Sequence, residues 1–172
     1  RITQRVLAAA IIGDQYLIEE PVLDQHDRQV LHNVAKKRIK NMEKGWMLIQ
    51  HYGKKYHIQD GHDTSIKYYL VNDVFGLGKI EPFLHDADVT SLYCNGSNEP
   101  VFVEIGGKKI QSNVLFNELD LRNFIYGIAA KLNKKINKKT PNVKGVLRGF
   151  VFMIGFGDDM KNPHFLVNRG NS

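Results

Sequence analysis

The chain has 172 residues and a formal net charge of +6 at pH 7, with 42% hydrophobic and 24% charged residues. This composition excludes a disordered, a collagen-like or a disulfide-stabilised protein, and the length suffices for one domain or two small ones. The single cysteine, Cys94, cannot form an internal disulfide and is best interpreted as a buried strand residue. The apolar runs are far shorter than the roughly 20 residues of a membrane-spanning helix, and no signal peptide is evident.

The first half of the chain has the periodicity of helices. Apolar residues recur at helical spacing over 24–44, and Asp24 or Asp27 can cap the start of this predicted helix while Gly45 can end it. Residues 45–61 follow no clear pattern, which predicts a loop or a poorly patterned second helix.

A further helix is predicted over 64–75, and after Pro82 the pattern changes to that of strands. The elements predicted in this second half are strands over 89–94, 100–105 and 108–114, a helix over 119–132, and strands over 146–154 and 165–167. The sequence therefore predicts an α+β fold, with an N-terminal helical subdomain over 1–84 and an α+β subdomain over 85–172. The second subdomain is expected to hold a small sheet of about five strands and one long helix.

The sequence contains no phosphate-binding loop of the Walker A type. That loop needs Gly-Lys followed by Ser or Thr, whereas the residues that follow the three Gly-Lys pairs are Lys55, Ile80 and Lys109. Nucleotide hydrolysis by this chain alone is therefore not expected, and no catalytic residue and no bound cofactor are predicted within it.

Five residues that could ligate a metal lie close together in the first half: His51, His57, Asp60, His62 and Asp63. Structural metal sites usually have paired ligands at fixed spacing and often use cysteine. A solvated turn, with Asp63 as a cap or a first-turn acid, explains this group better. No metal site is therefore predicted.

Four lysines at the end of the long helix form a predicted basic interaction edge: Lys134, Lys135, Lys138 and Lys139. A solvated or subunit-facing surface and a site for nucleotide or lipid phosphate both fit this pattern. Nucleic acid is the least favoured partner, because the nearest aromatic ring is Tyr126 and interleaved aromatic residues are missing.

Several motifs, taken in order, resemble one protein family. Residues 16–21 read Y-L-I-E-E-P, and residues 76–83 read G-L-G-K-I-E-P-F, close to a family pattern G-x-G-x-I-[DE]-P-L. Residues 112–116 read S-N-V-L-F, where the family has T-N-V-x-F. In this order, and with the strands between them, they resemble the N-terminal region of archaeal type II/IV secretion ATPases, which include archaellum and type IV pilus assembly motors.

The resemblance implies a sensor-like, PAS-like N-terminal domain of a hexameric motor for protein transport, with the ATPase domain downstream of this chain. It implies ATP and Mg as cofactors of the longer parent protein, which would be an ATPase. The implied partners are neighbouring subunits of a homo-oligomer, a membrane platform protein that receives the motor's motion, and an anionic membrane surface. The implied location is cytoplasmic, peripheral at the inner face of the membrane.

The sequence departs from the family at two positions that normally carry a cation near the nucleotide. Val151 and Asn168 occupy these positions, and neither side chain supplies a positive charge. Arg148 and Arg169 are the adjacent cations that could contact ATP phosphate in the parent protein. Two other functions stay open: a free-standing interaction or adaptor domain without a motor, and a basic nucleic-acid-binding module.

Overall fold

The computed structural model describes residues 8–170, which form two compact units. The helical unit comprises residue 8 and residues 19–82, and the sheet unit comprises residues 9–18 and 83–170. Among the described residues, no helix has the length and apolar character needed to cross a membrane. The division into subdomains over 1–84 and 85–172 stays a prediction.

The helical unit is built on three helices: α1 (Gln25–Ala35), α2 (Met42–Tyr56) and α3 (His62–Leu70). A π-helical turn (Val71–Phe75), a 3₁₀ turn (Gly78–Ile80) and the short helix α4 (Glu81–Leu84) follow. One apolar core joins the three helices, formed by Leu23, Val30, Val34, Ile39, Ile49, Ile66 and Leu70.

The single helix predicted over 24–44 is two helices in the structure. Asp24 caps α1 as predicted, because its side chain accepts a hydrogen bond from the Asp27 backbone while the Asp27 side chain accepts one from the Asp24 backbone. The helix then ends at Ala35, and Arg38 has a positive φ of 49° that no helix accommodates. A new cap at Asn41 begins α2.

Gly45, predicted to end a helix, lies inside α2 and is buried. A Cβ atom at this position would lie 2.8 Å from Ile39 Cδ1 and 3.0 Å from Leu70 Cδ2. The glycine therefore permits close packing of α2 on its neighbours, and the helix continues to Tyr56.

The sheet unit contains one eight-stranded sheet in the order β1-β2-β5-β4-β3-β8-β7-β6. The strands are β1 (Ala8–Ile12), β2 (Gln15–Glu19), β3 (Val89–Cys94), β4 (Pro100–Ile105), β5 (Lys108–Leu115), β6 (Asn142–Leu147), β7 (Phe150–Gly155) and β8 (His164–Arg169). β2 pairs parallel to β5, whereas the pairs from β5 through β4, β3, β8 and β7 to β6 are antiparallel. The α+β class is confirmed, but the sheet is larger than the small sheet predicted, because β1 and β2 add to its edge and the strand predicted over 146–154 is two strands.

The long helix α5 (Glu118–Lys131) is present where it was predicted. It buries Leu121, Ile125, Ile128 and Ala129 and contacts β7 and β8. Side chains of alternate strand residues, among them Leu92, Phe152 and Val167, are buried on one face of the sheet. This packing accounts for the apolar periodicity that predicted the helix.

The strand predicted over 146–154 is a hairpin in the structure. β6 and β7 are joined at Arg148 and Gly149, which have φ values of 53° and 79°. Two consecutive residues with positive φ make the tight turn whose twist matches that of paired strands. Arginine at the first turn position gives no turn signal, and for this reason the apolar run predicts a single strand.

Candidate functional site: resemblance motifs, open sheet face and basic edge

The Gly-Leu-Gly-Lys-Ile-Glu-Pro motif forms a tight connection within the helical unit. The Glu81 side chain is buried, and its Oε2 accepts a hydrogen bond of 2.6 Å from the Leu77 backbone N–H. A Cβ atom on Gly76 would lie 2.7 Å from that oxygen and 3.0 Å from the Asn72 carbonyl oxygen. Gly78 has a φ of 62°, which favours glycine. Gly76, Gly78 and Glu81 therefore shape the chain at this connection.

The first resemblance motif, residues 16–21, is hydrogen-bonded to helix α3. The Tyr68 hydroxyl donates to Glu20 Oε2 at 3.0 Å, and the Tyr69 hydroxyl donates to the Pro21 carbonyl at 2.6 Å. Burial, with the nearby Glu20 charge adding to it, raises the pKa of Tyr69 to about 12 and raises that of Tyr68 further. Both tyrosines therefore stay protonated at neutral pH and act as donors that fix residues 20 and 21.

Asp73, close to Glu20, has a carboxyl pKa above its usual value. Partial desolvation and, next, the charge of Glu20 together raise the pKa of Asp73 to about 6, against the opposing effect of Lys79. The Asp73 carboxyl is therefore partly protonated in mildly acidic solution.

The third motif, Ser-Asn-Val-Leu-Phe, lies at the end of β5 and bonds to its neighbour β2. The Asn113 side chain accepts a hydrogen bond from the Ile18 N–H at 2.9 Å and donates one to the Ile18 carbonyl at 2.9 Å. It extends the parallel β2–β5 pairing, whose register places Tyr16 opposite Ser112. This role of Asn113 does not follow from strand periodicity, and the one usable signal for it in the sequence is its place in the motif.

The two positions at which the sequence departs from the family pattern that it resembles are paired in the sheet. Val151 and Asn168 are Cα partners in the β7–β8 pair, so their side chains lie on the same face. Ser91 is the next partner in the row, and its hydroxyl donates to Asn168 Oδ1 at 2.7 Å. Here the sheet presents an aliphatic group and a neutral hydrogen-bonded pair.

The row formed by Val151, Asn168 and Ser91 lies on one face of the sheet, and the side chains listed above as buried lie on the other face. We call the face that carries this row the open face. The next row on the open face contains Met153, Leu166, Tyr93 and Phe102, which are Cα partners in succession and all half-buried. The Lys109 ammonium lies 4.5 Å from the centre of the Tyr93 ring and 5.1 Å from that of Phe102, so the middle of the open face combines apolar and aromatic groups with one cation.

Arg169, a predicted phosphate contact, is held by its own chain. Its Nε donates to the Val89 carbonyl at 3.1 Å, its Nη2 donates to the Asp86 carbonyl at 2.9 Å, and its guanidinium lies 4.9 Å from the centre of the Phe150 ring. Because adjacent strand residues point to opposite faces, the Arg169 side chain lies on the other face from that of Asn168.

Arg148, the other predicted phosphate contact, lies exposed in the β6–β7 turn. The turn is the tip of a hairpin, so the side chain stands at the end of β6 rather than on the open face. A phosphate role for Arg148 and Arg169 stays a prediction.

The four lysines of the basic edge are all exposed: Lys134, Lys135, Lys138 and Lys139. Lys134 Nζ donates to the Lys144 carbonyl, and Asn137 Oδ1 accepts from the backbone of Lys139 and of Thr140, which closes a tight turn. Residues 131–148 contain seven lysines and arginines and no acidic residue. The turn therefore displays a concentrated positive charge at the end of α5.

The five candidate metal ligands of the first half do not converge on one point. His57, Asp60 and Asp63 line an open cleft of about 450 Å³ at the end of α2. Asp63 lies in the first turn of α3 and accepts a hydrogen bond from Gln50 Nε2 at 3.0 Å. His62 is directed instead to α1, where its Nδ1 lies 2.7 Å from Asp27 Oδ2.

Comparison with known proteins gives limited similarity. No family model matches the chain. The uncharacterized protein MJ1288 of Methanocaldococcus jannaschii is 24% identical over 135 residues, which cover 77% of this chain and 50% of that protein. The chain therefore spans about half the length of the curated relative that it matches.

Among solved structures, the VirB11 ATPase of the Brucella suis type IV secretion system, in complex with sulphate, superposes with a TM-score of 0.46 and 15% identity. The match covers 54% of this chain and 30% of that one. Similarity at this level does not by itself assign a fold or a function.

Proposed function

We propose that this chain is the N-terminal regulatory and assembly domain of a secretion-type or pilus-type ATPase. In this proposal it forms contacts between subunits of a hexamer and transmits the motion of the motor to a membrane platform protein. The ATP and Mg of the parent protein would bind outside this chain. The observation that carries the proposal is the order of the resemblance motifs along the chain.

The contacts of those motifs support this proposal. Glu20 and Pro21 are bonded to Tyr68 and Tyr69, and Glu81 closes the connection that begins at Gly76. Hydrogen bonds that are buried or partly buried resist deformation, so the helical unit is suited to move as a rigid body.

The charges on the sheet unit favour assembly over nucleotide binding. The open face presents Val151 and Asn168 where a phosphate contact would need permanent cations, and the Arg169 guanidinium is engaged with two backbone carbonyls. The positive charge is instead concentrated at the basic edge, where it suits an acidic protein surface or anionic lipid headgroups.

The direct test uses the complete protein encoded by the gene. A Walker A motif encoded after Ser172, together with ATPase activity and a hexamer by native mass spectrometry, would support the proposal. A stop codon directly after Ser172 would instead leave an adaptor domain. Arg148→Ala and Arg169→Lys should leave the affinity for nucleotide unchanged, and a clear loss with either would restore a phosphate role.

The basic edge is tested by reversing its four charges, with Glu replacing Lys134, Lys135, Lys138 and Lys139. The matched control reverses four exposed lysines of the helical unit, Lys36, Lys37, Lys40 and Lys44. Co-sedimentation with vesicles that contain anionic lipid, with and without the platform protein, should fall only with the first set. Equal losses would point to net charge rather than to this edge, and salt-sensitive binding of DNA would favour the nucleic-acid-binding alternative.

A further inference from the structure

Three side chains that can ligate a metal meet in the helical unit between the starts of α1 and α3. His62 Nδ1 lies 2.7 Å from Asp27 Oδ2 and 3.6 Å from Asp24 Oδ2. One ligand atom from each of the three residues lies within 4.8 Å of the others. Asp24 and Asp27 precede His62 by more than 30 positions, so sequence spacing did not suggest this cluster.

The burial of Asp27 points to a missing interaction. Its side chain is 0% exposed, and its Oδ2 is already engaged with His62 and with the Asp24 backbone N–H. Its Oδ1 is buried and has no hydrogen-bond partner among the described residues. A buried carboxylate oxygen without a partner is costly, because it loses its hydration and gains nothing in return.

We propose that Asp24, Asp27 and His62 bind a divalent transition-metal ion, with Zn²⁺ as the reference ion. Two carboxylates and one imidazole are ligands that such ions accept, and a nitrogen ligand favours them over Mg²⁺ or Ca²⁺. The two negative charges balance the ion, which would also offer a ligand position to the buried carboxylate.

The site is open to the ion from one side. The side chains of His62 and Asp24 are 30% and 39% exposed, so solvent reaches the cluster although Asp27 is enclosed. Three protein ligands leave at least one coordination position for water. The bound ion would tie the start of α1 to the start of α3 and so stabilise the helical unit.

The capping geometry is compatible with metal binding. Asp24 Oδ1 caps α1 by accepting from the Asp27 N–H at 2.9 Å, which leaves Oδ2 directed toward His62. The partial positive charge at the start of two helices opposes a cation, and we therefore expect weaker binding than at a closed structural zinc site.

The test is metal titration of the full chain after treatment with chelator, using Zn²⁺ for calorimetry and melting and Co²⁺ for the visible absorption of its complex. We expect one bound ion per chain. The melting temperature should rise by roughly 5 °C or more when Zn²⁺ stands at about a hundred times its dissociation constant. Asp24→Asn and His62→Ala should each lower the affinity at least tenfold, as loss of a ligand does.

The matched control is His57→Ala, which removes a histidine near the other end of the same loop and outside the cluster. It should retain the affinity, the melting shift and the Co²⁺ absorption. If the unchanged chain binds no ion, or if His62→Ala and His57→Ala bind Zn²⁺ equally well, the proposal is overturned. His62 would then be only a hydrogen-bond partner of Asp27.

Discussion

Replacement of Arg169 separates a structural role from a nucleotide role. In Arg169→Ala two backbone carbonyls, those of Asp86 and Val89, lose donors at 2.9 and 3.1 Å, and the contact with the Phe150 ring is lost. Hydrogen bonds from a charged donor contribute about 1.5–3 kcal/mol each, and a cation–π contact about 0.5–1 kcal/mol. Since the site is only partly buried, we expect a loss of about 3 kcal/mol in the free energy of unfolding.

The assay is urea unfolding followed by circular dichroism, with hydrogen exchange to localise the effect. Arg169→Ala should lower the midpoint by roughly 1 M urea. Protection should fall first in the segment that precedes β3. Arg169→Lys should recover about half of the loss, because a single ammonium cannot donate to both carbonyls in the fixed geometry of a guanidinium.

Arg148→Asn is the matched control, because it removes the other candidate arginine from an exposed turn. Asparagine tolerates the positive φ of this position and Asn-Gly is a preferred hairpin turn, so the free energy of unfolding should stay within about 0.5 kcal/mol of wild type or rise. An Arg169→Ala midpoint equal to that of wild type would refute the structural role and leave this arginine available for phosphate.

Three further predictions concern the helical unit and the cysteine. Gly76→Ala should lower the free energy of unfolding by about 1–3 kcal/mol, because its Cβ would meet the buried Glu81 carboxylate. Gly127→Ala, in an exposed helix position with open space, should raise it by up to about 1 kcal/mol. Equal urea midpoints for the two variants would contradict the close approach at Gly76. The pKa of Asp73 is raised in the folded state, so the folded chain binds this proton more tightly than the unfolded chain does. The free energy of unfolding should therefore fall by about 1 kcal/mol, after solvent screening, as the pH rises from about 4 to about 6, and Asp73→Asn should flatten that part of the profile. Burial raises the pKa of the Cys94 thiol to about 11. Iodoacetamide should therefore fail to modify the folded chain at neutral pH and should react with it once urea unfolds the chain. Rapid labelling of the folded chain would contradict the burial of Cys94.

The control for the pH experiment is another acid of the same chain. Asp63→Asn, a change of the same kind in an acid that carries its own hydrogen bonds, should leave the slope of stability between about pH 4 and pH 6 in place. If Asp73→Asn and wild type have the same slope, the carboxyl is not the group that titrates there.

The amino-acid sequence by itself determined the elements whose signals are local. The strands Val89–Cys94 and Pro100–Ile105 and the helix after Asn117 follow from alternation, helical spacing and turn residues, and the Asp24 cap follows from its position before an apolar run. The absence of a Walker A loop is likewise a property of the sequence.

Only the tertiary structure decided the arrangements that join distant residues. The pairing of β2 with β5 brings together positions about 95 apart, and the meeting of Asp27 with His62 joins two helices. The register that sets Val151 opposite Asn168 also depends on where the chain turns, and that turn falls at an arginine with positive φ. Periodicity reports which face of an element is buried, but it carries no information on the partner that buries it. Partners are chosen by the packing of the whole chain, and for that reason the candidate site could not be assembled from the sequence.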